Sequence, residues 1–145
     1  MNVSPGTMSS LLPSSGFGKG WSAKLRDMNT QEIEVRRLDS MFAEATAGID
    51  IPRVYLKMDT QGYDLKTFRG AGAYLDQVVG MQSEVSCVPI YDGMPRLPEQ
   101  ITEYEAEGFE NVGMYEVSRD PSTMRVIEFD VVMVRAGAIQ VGGSS

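Results

Sequence analysis

The chain has 145 residues, of which 42% are hydrophobic and 23% charged, with a formal net charge of −7 and a pI of about 4.6. That length allows one domain with a sizeable core. The negative charge opposes binding to nucleic-acid phosphates, and no apolar run approaches the roughly 18 residues of a membrane span. Histidine is absent and Cys87 is the only cysteine. An intrachain disulfide, imidazole zinc ligands and a Ser-His-Asp triad are thereby excluded, so proton transfer falls to carboxylates, Lys, Tyr, water or the substrate.

Residues 1–31 are rich in Ser, Gly, Pro and Met and carry no clear periodicity. They read as irregular, with a short helix near Ser22–Met28. The opening MNVSPGTMSSLLPSSG has no basic leader and no apolar central segment, so it is not a signal peptide, and a cytoplasmic location is the default. Gly16-Phe17-Gly18-Lys19-Gly20 has the composition of a phosphate-binding loop. Such a loop needs a strand before it and a helix after it, and SSLLPSS, broken by Pro13, is a poor strand. A flexible surface loop is the preferred reading. Trp21 reads as a packing anchor.

Glu34–Arg37 suits a short strand. Leu38, Met41, Phe42 and Ala45 form a helical stripe that Gly48 would stop. Val54–Met58 reads as a buried strand, followed by Asp59, a turn with Gly62, and a helix carrying Leu65, Phe68, Gly72 and Leu75 on one face. A second strand runs from about Val79 to Ser86, with Met81, Ser83 and Val85 on one side and Glu84 on the other. Cys87, in an apolar run, reads as a small buried hydrophobe rather than a nucleophile. After the loop PIYDGMPRLPEQ, Pro98 suits the first turn of a helix whose Ile101 and Tyr104 face the core and which Gly108 ends. Its acidic residues read as a solvated face. Asn111–Ser118 and Arg125–Arg135, joined by RDPST, form an antiparallel hairpin. The expected fold is α/β: two parallel strands joined by a crossover, finishing in an antiparallel hairpin. The chain divides into an irregular segment 1–32, an α/β unit 33–136 and a flexible tail 137–145.

In open α/β sheets, ligands bind just outside the carboxyl ends of the strands. Asp59, Gln61, Gly62 and Asp64 fall there, as does Tyr91 in the loop after the second strand. Asp59 can accept a proton, orient a hydroxyl or bind a metal; equally, it can cap the following helix. Asp64 suits the first-turn dipole, and Gly62 a backbone conformation or close approach that a side chain would block. Glu84, flanked by apolar residues, either points into the crevice or pairs with Arg53, Lys57 or Arg69, since an unpaired inward carboxylate is costly.

VYLKMDTQGYDLKTFRGA, preceded by VRRLDSMF, resembles the central signature of the FkbM methyltransferase family: an R-L-D element, a strand ending in K-x-D-x-x-G-x-[ED], then a helix. MQSEVSCVPIYDGMP is similar to the family's next strand and loop, and GFENVGMYEVSRD with RVIEFDVVMVR to its closing hairpin. The resemblance covers about residues 33–135. It implies a Rossmann-like fold that transfers methyl from S-adenosylmethionine to an oxygen of a sugar, polyketide or similar small-molecule acceptor. It carries over to Lys57, Asp59, Gly62, Asp64 and Glu84. Asp64 stands where Glu is more usual, and Gln61 where an acid is common, which weakens any metal site. Asp59 and Glu84 are the catalytic candidates, with Gln61, Gly62, Asp64 and Tyr91 near substrate. The family's cofactor unit, a strand–glycine-loop–helix followed by an acidic strand end, is not recognisable, so no cofactor-binding residue is assigned. The expectation is a chain holding the second half of the sheet, with Val54–Met58 as an open edge prone to self-association. The alternatives are a non-catalytic half-domain acting as an interaction module and, more remotely, a different nucleotide-binding enzyme.

Overall fold

A computed structural model describes residues 1–138. Two short strands, β1 (Asn2–Val3) and β2 (Asn29–Thr30), pair antiparallel and bracket α1 (Gly16–Trp21). Then come α2 (Asp39–Ala45), β3 (Val54–Met58), α3 (Asp64–Arg69), β4 (Val78–Ser86), α4 (Leu97–Ala106), β5 (Phe109–Arg119) and β6 (Val126–Arg135). The main sheet has the order β3-β4-β6-β5. β3 and β4 are parallel, while β6 lies antiparallel to both β4 and β5. The expected mixed α/β sheet, with parallel strands followed by a hairpin, is therefore present. The last strand inserts beside β4 and pushes β5 to one edge; at the other edge, β3 pairs only with β4 among the described residues.

The period-2 pattern of a strand decides which side chains reach the core. Leu56 and Met58 of β3, Met81 and Val85 of β4, and Val131 and Met133 of β6 meet Leu65 and Phe68 of α3 and Tyr104 of α4 in one cluster. Tyr55 and Lys57, which alternate with these on β3, are exposed. Phe68 packs edge-on against both Tyr104 and Phe109, with centroids 4.8 and 5.7 Å apart. A second cluster joins Leu25, Val88, Ile90, Tyr91, Met94 and Ile127. Trp21 and Cys87 pack against it half-buried, so the anchor reading of Trp21 holds, while Cys87 is only partly covered.

The structure corrects several local expectations. Gly16–Gly20 is not a flexible loop: Ser15 caps it as a helix by accepting from the Gly18 N–H at 2.9 Å, and the helix is pressed onto the loop after β4. A Cβ on Gly18 would lie 2.2 Å from the Ile90 carbonyl oxygen, so glycine serves a backbone approach. The helix expected at Ser22–Met28 reduces to a 3-10 turn at Ala23–Leu25. Glu34–Arg37 joins no strand ladder. Of the α2 stripe only Phe42 is buried, stacked on Tyr74 with centroids 4.3 Å apart. The helix after Gly62 ends at Arg69 and resumes as a 3-10 turn at Gly72–Gln77, because Gly72 sits at φ +53°. The spacing of Gly72 and Leu75 imitates a helical face that the backbone interrupts. The tail expected to fray lies, from residue 139 onward, outside the described residues.

The irregular N-terminal segment is stitched to the rest. The Ser15 N–H donates to the Ile90 carbonyl at 3.0 Å, the Asp92 N–H to the Pro13 carbonyl at 2.8 Å, and the Ser10 hydroxyl to the Gln61 carbonyl at 2.6 Å. These bonds bring residues 8–15 against the crevice at the carboxyl ends of β3 and β4.

Candidate functional site

β3 ends at Met58, and residues 59–63 turn into α3. Gln61 at φ +50° and Gly62 at φ +87° make that turn, with Gly62 packed so that a Cβ would meet Met94 and Tyr91 at 3.1 and 3.2 Å. The expectation that Gly62 supplies both conformation and close approach is met.

Asp64 is fully buried at the first position of α3. Its Oδ1 accepts from the Thr60 N–H at 2.8 Å and from the Thr60 hydroxyl; its Oδ2 accepts from the Ser83 hydroxyl and the Glu84 N–H, each at 2.9 Å. Ser83 in turn meets the Tyr104 hydroxyl at 2.9 Å. Asp64 therefore locks the β3–α3 turn onto the middle of β4, and its oxygens are taken up by the protein. Burial raises the Tyr104 phenol well above its ordinary value, so it serves this network as a neutral hydroxyl.

Asp59 is the opposite case. Its side chain is 55% exposed, and it does not cap α3, whose N-cap is Tyr63 with no side-chain cap bond. The capping reading of Asp59 is therefore not met. Lys57 Nζ lies 3.7 Å from Asp59 Oδ2, and Gln61 Nε2 donates to Oδ1 at 3.3 Å.

Gln61 gathers the remaining candidates. Its Nε2 also donates to Glu84 Oε2 at 2.6 Å, and its Oε1 accepts from the Tyr91 hydroxyl at 2.8 Å; the same hydroxyl proton is shared with the Met8 carbonyl at 2.9 Å. Glu84 thus faces the crevice rather than a base. The three cations proposed for it are engaged elsewhere: Arg69 with Glu103, Lys57 with Asp59, and Arg53 with the Ala138 carbonyl. Burial first, and then the negative charges of Glu128, Asp59, Asp64 and Asp130, push the Glu84 carboxyl up to about 8. Glu84 is accordingly a proton-bearing acid at neutral pH. Glu128, raised mainly by burial, accepts from the Ser118 hydroxyl at 2.7 Å. Burial also raises Tyr91.

A cleft of about 820 Å³ opens beside this crevice. Asp59, Thr60, Tyr63 and Lys66 line it, together with residues 33–38. Of the predicted site residues only Asp59 reaches it, because Gln61, Asp64 and Tyr91 lie behind it in the protein. Arg36, Tyr63 and Lys66 were not anticipated as lining residues. The only sequence signal was their placement: Arg36 abuts the R-L-D element and Lys66 lies one helical turn past Gly62. The R-L-D element itself is structural, since Arg37 pairs with Asp39 at 2.6 Å and the Asp39 N–H donates to the Gly70 carbonyl at 2.8 Å, tying it to the end of α3.

The described residues do not fit the strand–glycine-loop–helix cradle that the family resemblance implies for S-adenosylmethionine. Among them, no turn carrying two glycines leads from a strand into a helix. Gly16–Gly20 instead lies within α1, with Gly18 packed on the Ile90 carbonyl.

The chain is a mixed α/β protein, with a carboxylate at the end of a parallel strand beside a cleft of about 820 Å³. The chain matches the methyltransferase FkbM domain over residues 2–117 and belongs to that family. The match takes in the N-terminal segment, beyond the residues on which the sequence resemblance rested, and ends within β5. No curated protein and no solved structure gives a significant match. Among the described residues, no helix is long and apolar enough to cross a membrane.

Proposed function

We propose that this chain forms the acceptor side of an S-adenosylmethionine-dependent methyltransferase that modifies a hydroxyl of a sugar, polyketide or similar small molecule. The observation that carries this reading is the split between the two acids of the signature. Asp64 is consumed in holding the turn, while Asp59 stands exposed on the rim of the cleft. A carboxylate so placed accepts the acceptor's hydroxyl hydrogen bond and then its proton. Protonated Glu84, reached through Gln61, keeps a second negative charge from crowding Asp59. The cofactor supplies the methyl group when bound, and no described residue is assigned to hold it.

This reading makes the chain a half-site. Titration of S-adenosylmethionine into residues 1–145, with folding checked by circular dichroism, should give no binding by a folded protein. Micromolar binding would overturn the half-site reading. In any assembly containing this chain that transfers methyl, Asp59→Asn should lower kcat by about two orders of magnitude with cofactor affinity unchanged. An unchanged kcat would remove Asp59 from the chemistry.

The edge of β3, which pairs only with β4 among the described residues, supports a second reading, an interaction module that pairs its edge with another chain. In both readings the chain works with small molecules or protein, not nucleic acid or membrane, and a cytoplasmic setting suits its reduced lone cysteine.

A further inference from the structure

The lining of the cleft beside Asp59 is mixed: Leu11, Ile33 and Val35 are apolar, while Tyr63, Lys66 and Arg36 bring polar and cationic groups. Its volume of about 820 Å³ suits a small organic ligand. Four cations line it, but two are committed: Arg37 to Asp39 and Arg69 to Glu103. None of the ion pairs among the described residues uses Arg36 or Lys66. Lys66 Nζ lies 4.4 Å from the ring centroid of Tyr63, another lining residue. Of the two lining carboxylates, Asp59 already faces Lys57, which leaves Glu34. In a chain of net charge −7, the uncommitted charged side chains of the cleft, Arg36 and Lys66 against Glu34, leave it locally positive.

We propose that this cleft binds an anionic small molecule with an apolar body, a carboxylate or a phosphate monoester, whose anionic group is held by Arg36 and Lys66. Arg36 supplies a planar fork for two oxygens and Lys66 a point charge. The apolar body lies against Leu11, Ile33 and Val35. The inference deepens the acceptor-side reading and rests on it for the ligand's role: an acceptor anchored by its anionic end would present a hydroxyl toward Asp59. The binding itself requires no cofactor.

The test is titration of phenyl phosphate and, separately, benzoate into the chain, followed by amide chemical-shift changes, with neutral benzamide as control. Saturable binding of at least one anion, perturbing residues 33–38 and 60–67, is expected, with benzamide far weaker. Arg36→Gln and Lys66→Gln should each weaken it about tenfold, and Arg36→Lys should restore part of the loss. Lys19→Gln, which alters an exposed cation outside the cleft, should leave it unchanged. Arg36 and Lys66 are exposed, so the variants should fold, and Arg36→Lys keeps the positive charge that Arg36→Gln removes. Absence of saturation, equal binding of benzamide, or anion binding indifferent to both cleft variants overturns the proposal. The assay contains no methyl donor. Its failure would remove the anion site and leave the methyltransferase reading standing; failure of methyl transfer with anion binding intact would do the reverse.

Discussion

Glu84→Gln is the most revealing single substitution. The folded chain holds the Glu84 proton up to about pH 8, against an ordinary value of 4.5, chiefly because of burial and then because Glu128, Asp59, Asp64 and Asp130 surround it. Between those limits the unfolded chain has released a proton that the folded chain retains. Stability from this group is therefore fully present below pH 4.5 and is lost, by up to about tenfold in the folding constant per pH unit, as pH rises through 8. The full span bounds the loss at about 5 kcal/mol, and water reaching the partly exposed side chain reduces it to about 2 to 3 kcal/mol. Glutamine is neutral at every pH and can accept the Gln61 Nε2 bond through its own carbonyl. Urea unfolding of both proteins at pH 5 and at pH 8.5 isolates the Glu84 contribution, because the other acids titrate in both. The variant should be close to wild type at pH 5 and more stable by about 2 to 3 kcal/mol at pH 8.5. A difference that does not change with pH would mean that Glu84 is ionised in the folded chain, and the account of the crevice would fail.

Three further outcomes follow from the packing. Gly18→Ala, which would favour an isolated helix by about 1 kcal/mol, should instead lose about 3 kcal/mol in thermal melts, since its Cβ would lie 2.2 Å from the Ile90 carbonyl oxygen. A neutral or stabilising effect would mean that α1 is not pressed onto that loop. Asp64→Asn places an N–H₂ among groups that all donate to the carboxylate, and should lose about 2 to 4 kcal/mol by chemical unfolding; a loss under about 1 kcal/mol would contradict the locking role. The edge of β3, without a second strand partner among the described residues, should make the isolated chain self-associate in light scattering, and a stable monomer with cooperative melting would contradict it.

The order of the elements was readable from the chain because it is written in local patterns. Val54, Leu56 and Met58 alternate with Tyr55 and Lys57, and that period-2 pattern states both the strand and its buried face. Pro98 and Gly108 punctuate α4, and the short RDPST connector dictates a hairpin. The carboxylates Asp59, Asp64 and Glu84 could be named as candidates because each follows or interrupts such a pattern. Their division of labour could not. Whether a carboxylate is spent or free depends on which donors converge on it, and Thr60, Ser83 and the Glu84 N–H reach Asp64 only when β4 lies beside the turn. The same holds for Gly18, whose reason for being glycine is a carbonyl 72 positions away in the chain. The proton on Glu84 likewise comes from burial and four acids gathered from two distant parts of the sequence. Sequence by itself determined the alternation, the breaks and the family. Tertiary structure alone decided which polar groups meet, because hydrogen bonding and desolvation are properties of neighbours in space.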